Sequence, residues 1–294
     1  MRTLNIVKAD PAGNITIFVL NGQDLGARER TDAAKRLLDD KTLGAEQVGF
    51  VSEPAGDNGL WRLTMMGGEF CGNAARSFGL FAARKMGLRG KQHITVEVSG
   101  AAHPVNVDVD CETGEAAASI PPPRTNSILP SSDASVYGEL PVYQFDGITH
   151  VIAKNTDPNE ASFFKIKKLL ERQNGKIQDA LGVMFYNTAE NMMRPAVYVR
   201  ATGTLIFESS CGSGSAALAC HHFADKTDGE NIMPVRQPGG TITTRVIKQN
   251  GEVKQIWIGG RVTLTRKKEE GRRKKERLTI INEQLTMKEC QVLK

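Results

Sequence analysis

The chain has 294 residues, of which 40% are hydrophobic and 24% charged, and a formal net charge of +5. That is enough for one large domain or two ordinary ones, and no run approaches the roughly 20 apolar residues that span a bilayer. The segment Arg266–Arg277 holds eight basic and three acidic residues and so carries the whole +5, which leaves a body without basic bias and excludes nucleic acid as its expected partner.

In chain order, Ile15–Leu20 is a short apolar run closed by Asn21-Gly22, a strong turn signal, and predicts a strand. Arg28–Asp40 places Ala33, Ala34, Leu37 and Leu38 on one helical face. Gln47–Val51 and Leu60–Met65 read as strands. Gly72–Met86 predicts a second helix that buries Ala75, Phe78, Leu80, Phe81 and Ala82. Ile94–Val98 and Val105–Val109 read as strands, the latter alternating Val105, Val107 and Val109 as a sheet with one buried face requires. Pro121-Pro122-Pro123 then reads as a linker.

Beyond the linker the order repeats. Strands are expected at Val142–Phe145 and His150–Ala153, a helix at Glu160–Arg172, and strands at Val183–Tyr186, Ala196–Val199 and Leu205–Phe207. An Ala-rich helix follows at Gly212–Ala224, then strands at Thr241–Ile247 and Lys254–Ile258. In each half the second helix starts just after a cysteine, Cys71 or Cys211, 140 residues apart. An internal repeat fixes architecture. Here it implies an α+β fold of two pseudo-symmetric, mostly antiparallel lobes with a cleft between them. The lobes are 1–120, with a returning strand at about 261–265, and 121–260. The basic tail, 266–294, reads as solvated.

The two cysteines stand in matched contexts, Glu69-Phe70-Cys71-Gly72-Asn73-Ala74 and Glu208-Ser209-Ser210-Cys211-Gly212-Ser213-Gly214. A helix start presents unpaired N–H groups and partial positive charge, an environment that lowers a thiol's pKa. The following glycine allows a ligand close to the backbone, and the same N–H groups suit a carboxylate. Cys111, Cys220 and Cys290 lack this context. Two acid/base groups facing each other fit inversion of a stereocentre, in which one thiolate removes a proton and the opposing thiol delivers one to the other face. A metal site would need ligands at characteristic spacing, and none is seen; no metal or other cofactor is expected. Five cysteines make no complete disulfide set, and Met1–Asn14 lacks the regions of a secretory leader, so a cytoplasmic protein with free thiols is expected.

These residues resemble the diaminopimelate epimerase-like superfamily of cofactor-independent amino-acid racemases, from Pro11 to about Thr265. The shared features are Gly13-Asn14, the two cysteine motifs and Gln237-Pro238-Gly239-Gly240. The resemblance implies that each lobe is a sheet wrapped around a central helix. It also implies Cys71 and Cys211 as catalytic thiols without pyridoxal phosphate, with the substrate α-carboxylate held by backbone N–H groups near Gly72, Asn73, Gly212 and Ser213. A homodimer is implied by analogy. The contacts by which diaminopimelate epimerases hold the distal end of their substrate fall on Ile148, about Gly182 and Thr202-Gly203, none of which is charged. The chain is more similar to the histidine racemases of the superfamily, in Pro11–Ile17, Glu46–Phe50, the cysteine motifs and Gln237–Gly240. In that group the acid matching Glu46 binds the imidazole, and Asn14 belongs to the substrate-binding set. Glu208 either orients the helix mouth or faces solvent. Two alternatives stand beside a histidine racemase: an epimerase of diaminopimelate, proline or hydroxyproline, and a non-catalytic amino-acid-binding protein.

Overall fold

The computed structural model describes residues 3–56, 59–129, 138–174, 179–200, 203–269 and 283–284. They fall into two compact units, one running to Ala118 and resuming at Gly259, the other from Ser119 to Ile258. Thr202, Cys290 and most of the basic tail lie outside the described residues.

The first unit opens with β1 (Leu4–Asp10), β2 (Thr16–Val19), α1 (Ala27–Asp39), β3 (Gln47–Ser52) and β4 (Arg62–Met65). It continues with α2 (Gly72–Lys85), β5 (Lys91–Val98), β6 (Val105–Asp110) and β7 (Glu115–Ile120). β1 lies antiparallel to β2, β2 parallel to β3, β3 antiparallel to β4, and β4 parallel to β5. β5, β6 and β7 form an antiparallel meander. α1 buries Ala33, Ala34 and Leu37 on one stripe, as its apolar spacing dictates. α2 differs: every residue from Gly72 to Ala83 is buried. Its Ala-rich sequence is what lets surrounding strands approach so closely. Gly79 is one such contact, since a Cβ there would meet Val107 Cγ1 at 2.6 Å. Phe78 and Phe81 stack with centroids 6.0 Å apart, and Phe18 meets Phe78 edge-on at 5.7 Å.

The second unit contains β8 (Thr125–Leu129), β9 (Leu140–Phe145), β10 (Ile148–Lys154), α3 (Glu160–Asn174), β11 (Ala180–Asn187), β12 (Met192–Val199) and β13 (Thr204–Phe207). It closes with α4 (Gly212–His222), β14 (Gly229–Gln237), β15 (Gly240–Gln249) and most of β16 (Glu252–Arg261). β9 is antiparallel to β10, β10 parallel to β11, β11 antiparallel to β12, and β12 parallel to β14. Element by element this repeats the first unit: strand, strand–helix–parallel strand, antiparallel strand, cysteine-capped helix, parallel strand. β13 is the insertion. Phe163, Ile166 and Leu170 of α3 pack on Val183 and Phe185 of β11.

One expectation changes toward the chain's end. The returning strand, β17, runs Thr263–Glu269, not 261–265, and pairs along its whole length with β1, from Asp10↔Thr263 to Leu4↔Glu269. An apolar pattern stops at the first basic residues. Backbone pairing does not, because an antiparallel partner with unpaired N–H and C=O groups is in place. Strands β1, β7, β8 and β14 are not predicted from the sequence pattern either. Among the described residues no helix is long and apolar enough to cross a membrane.

Candidate functional site

In the first unit, Cys71 is the N-cap of α2, with φ −128° and ψ 115°. Its sulfur accepts the Ala74 N–H at 3.4 Å, the bond a serine or aspartate cap would take. The thiol lies 3.8 Å from Asn14 Oδ1, to which it donates. Asn14 leaves a tight loop after β1 in which Ala12 and Gly13 adopt φ of 67° and 85°. An alanine there is strained, and the Gly13 N–H is tied to Asp10 Oδ1 at 2.7 Å. Asn14 is 3% exposed. Its Oδ1 also accepts Asn73 Nδ2 at 3.4 Å, and its Nδ2 donates to Glu46 Oε2 at 2.7 Å. Cys71, Asn73, Asn14 and Glu46 thus form one connected polar network.

Sequence pattern gives no sign of Arg76. A charged residue one turn into a helix reads as a surface group, yet it is wholly buried. Its Nε donates to Asn73 Oδ1 at 3.2 Å, and its two terminal nitrogens donate to Gly260 O at 2.8 Å and Pro11 O at 3.0 Å. Burial pulls the guanidinium down to about 10, while Cys71, then Glu115 and Asp10, hold it up. It remains cationic at neutral pH.

In the second unit, Cys211 caps α4 with the same φ −128° and ψ 115°. Gln237, from the Gln-Pro-Gly-Gly motif, accepts the Cys211 N–H at 2.8 Å and donates to Ser215 Oγ at 2.9 Å. Ser215 Oγ in turn donates to Cys211 O at 2.7 Å. Gly212 and Ser213 form the first turn of α4. The expectation of a lowered thiol fails here. Burial first, then the Glu208 carboxylate, push Cys211 well above the ordinary thiol range. The Gly214 N–H and the Ser213 hydroxyl pull the other way and do not compensate. Glu208 therefore bears on the thiol and is no mere solvent-facing residue.

A second residue without a sequence signal supports Ser213. His150 is wholly buried, and burial pulls its imidazole down to about 3, so it is neutral. Its Nε2 lies 2.9 Å from Ser213 Oγ, which lies 3.7 Å from Cys211 Sγ. Among the described residues its Nδ1 has no hydrogen-bond partner. A buried orphan N–H costs more than an orphan lone pair, which favours the tautomer with Nε2–H donating to Ser213 and the serine hydroxyl turned toward the sulfur. Gly182 on β11 sits opposite His150 in parallel register, and a Cβ there would collide with the imidazole. Ile148 opens β10, and Gly203 has φ 66°. Among the described residues no three His, Cys, Asp or Glu side chains are grouped as a metal ion would need.

Residues 3–268 match the family described as "Histidine racemase CntK N-terminal domain". A histidine racemase of Fusobacterium nucleatum is 32% identical over 268 residues, covering 90% of this chain and 95% of that protein. A histidine racemase of Staphylococcus aureus is 28% identical over 269 residues, covering 89% and 95%. Among solved structures, a probable proline racemase from Agrobacterium radiobacter superposes with a TM-score of 0.57 at 15% identity, covering 88% of this chain and 90% of that one. A hydroxyproline epimerase from Agrobacterium vitis gives 0.57 at 12% identity, covering 91% and 92%. At these identities the structures speak to the fold alone, which is α+β and of the proline racemase type.

Proposed function

The chain belongs to the histidine racemase family and is an isomerase, an amino-acid racemase, and from that premise we propose that it interconverts L- and D-histidine by a two-thiol mechanism without pyridoxal phosphate or metal. The observation that carries the proposal is the pair of cysteine caps, each opening a helix with the same backbone angles in a chain whose strand order repeats.

In this reading the two units are pseudo-symmetric lobes, each with its sheet wrapped around the cysteine-capped helix, and Cys71 and Cys211 address one α-carbon from opposite faces. The α-carboxylate takes N–H groups of Gly72, Asn73, Gly212 and Ser213, and their partial positive charge stabilises the negative charge that develops as the α-proton leaves. Cys71, as thiolate, removes that proton. Cys211, held as a thiol by burial and Glu208, delivers its own to the other face. One proton enters and one leaves the carbon, so the product is the enantiomer and the thiols have exchanged states, ready for the reverse reaction. The Ser213 hydroxyl, set by His150, donates to Cys211 once it has become a thiolate. Glu46 serves twice, holding Asn14 and presenting negative charge to the imidazole. A cytoplasmic homodimer completes the proposal.

The test is racemisation of L-histidine, with L-proline and L,L-diaminopimelate alongside, in wild type, Cys71→Ser and Cys211→Ser, with no added cofactor and after chelator treatment. A serine hydroxyl is far too weak an acid for the exchange, so each variant should lose orders of magnitude in turnover. Near-normal racemisation by either variant would sink the two-thiol mechanism, and preference for diaminopimelate or proline would overturn the substrate.

A further inference from the structure

A short loop delivers each cysteine to its helix, and in both units that loop is held at the same backbone atom. In the first unit the chain leaves β4 through a turn closed by the Gly68 N–H on Met65 O, and Met66, Gly67, Gly68 and Glu69 are exposed. Ser99, one residue past β5, ties this loop to the sheet. Its Oγ accepts the Met65 N–H at 2.8 Å and donates to Glu69 O at 3.1 Å. Ser99 is itself fixed by the parallel β4–β5 ladder, since its N–H donates to Leu63 O at 2.9 Å. Gly100 follows with φ 75°, in a turn closed by the Ala101 N–H on Val98 O, where a type II turn calls for glycine. A Cβ on Gly100 would stand 2.3 Å from Phe70 N and 2.6 Å from Glu69 C, so the loop rests directly on this turn.

In the second unit Gly239, just past β14, donates its N–H to Ser209 O at 2.8 Å. Glu69 and Ser209 each stand two residues before their cysteine, and β5 and β14 are each the parallel strand that follows the cysteine-capped helix. The carbonyl two residues ahead of the thiol is therefore gripped in both units, by segments with unrelated sequences, Val98-Ser99-Gly100-Ala101 and Gln237-Pro238-Gly239-Gly240. The donor changes from a backbone N–H to a side-chain hydroxyl, and the grip stays at the same place in the fold.

We infer that Ser99 is the positioning residue of Cys71: its hydroxyl clasps Glu69 O and so sets where the thiol stands at the mouth of α2. The helix itself is buried from Gly72 to Ala83 and is held independently of the loop. The N–H groups of Gly72 and Asn73, proposed to take the substrate carboxylate, are therefore fixed by the helix, and the sulfur by the helix and the clasp together. Opening the clasp displaces the sulfur and leaves the carboxylate site in place. A displacement of about 1 Å in a reacting group costs on the order of 100-fold in rate. In the second unit the same task falls to a backbone group, whereas in the first it falls to a side chain that can be replaced. The inference rests on the reading of Cys71 as an acid/base group in racemisation, and one arm of its test does not depend on racemisation.

The experiment compares the full chain as wild type, Ser99→Ala and Ser99→Thr. It reads kcat and KM for L-histidine, and the rates at which iodoacetamide alkylates Cys71 and Cys211, resolved by peptide mass spectrometry. In Ser99→Ala kcat should fall at least about tenfold with KM within about threefold of wild type, the signature of lost alignment and not of lost binding. Ser99→Thr keeps the hydroxyl and should return kcat to within about threefold. With the clasp open the exposed loop lifts more often, so alkylation of Cys71 should rise at least about threefold while Cys211 keeps its wild-type rate. A folded Ser99→Ala with kcat within about twofold of wild type overturns the inference. So does a loss confined to KM, and so does a parallel gain in reactivity at both cysteines, which marks a general loosening. If the wild type racemises no histidine, the proposed substrate is refuted, and the two alkylation rates alone decide whether Ser99 holds Cys71.

Discussion

Glu46 offers a prediction that separates two kinds of specificity. The carboxylate accepts the Asn14 amide at 2.7 Å, and Asn14, 3% exposed, contacts the Cys71 thiol and Asn73 through its other atom. Glu46→Ala removes a hydrogen bond to a charged acceptor, worth about 1.5–3 kcal/mol, and leaves a buried amide donor without it. If that energy is needed to hold Asn14 in the transition state, kcat/KM falls roughly 10- to 150-fold. Glu46→Gln keeps a neutral acceptor of about half the strength, so its loss should be a few-fold to about tenfold. Because Asn14 touches the thiol network, this part of the loss should appear with any amino acid the enzyme exchanges. The part due to the imidazole should appear with histidine alone. The assay is kcat/KM for L-histidine, with α-proton exchange into deuterated solvent for a second amino acid, in wild type and both variants. Equal losses for both substrates would assign Glu46 to Asn14 only. A folded Glu46→Ala within twofold of wild type would refute both roles.

Three further outcomes follow from other parts of the molecule. His150 is neutral in the fold, with its pKa pulled down to about 3. Between the unfolded value near 6.5 and about 3 the unfolded chain binds the extra proton, so stability should fall as pH falls, by up to about 1.4 kcal/mol per unit. His150→Gln should flatten that limb in urea titrations from pH 6.5 to 4, and an unchanged slope would count against the buried neutral imidazole. At Gly214, a Cβ would press into Met184 Sδ and lie 3.3 Å from Cys211 Sγ. Gly214→Ala should therefore cost about 1–3 kcal/mol by overpacking and lower the Tm by several degrees, and a melt at the wild-type temperature would show the contact relaxes freely. Ending the chain after Glu269 keeps the β1–β17 ladder and should leave turnover within a few-fold. Ending it after Thr265 strips Leu4–Val7 of their β17 partners, leaving Ile6 and Val7 paired to β2 alone, and should destabilise on the order of a few kcal/mol; equal melting of the two truncations would refute this.

Much of the fold could be read from local pattern. Ala33, Ala34 and Leu37 lie on one stripe of α1, and Val105, Val107 and Val109 alternate inward, because each element buries one face and the period records it. The strands that escape such a reading lack a period of that kind. β7, Glu-Ala-Ala-Ala-Ser-Ile, has helix-forming composition, and sheet pairing overrides it. β14 contains Pro234, which argues against a strand. β8 is exposed at four of its five positions and shows no apolar face. The cysteine caps were legible because cap, glycine and helix are consecutive in sequence. Arg76, His150 and the tie from Gln237 to Cys211 were not. Their meaning lies in partners 184, 63 and 26 residues away, and a buried arginine or histidine looks on paper like any other polar residue.

The pairing of β1 with β17 makes the first unit discontinuous in the chain, while the second unit is one unbroken stretch from Ser119 to Ile258. Synthesis runs from the N-terminus, so every strand of the second unit emerges from the ribosome before the first unit has its returning one. The N-terminal segment must wait with a row of unpaired backbone groups on β1 until Thr263–Glu269 arrives. The order of completion is therefore the reverse of the order of translation, against the usual N-terminal-first course. During that interval the exposed edge of β1 is where a nascent chain of this family is open to mispairing with a neighbour.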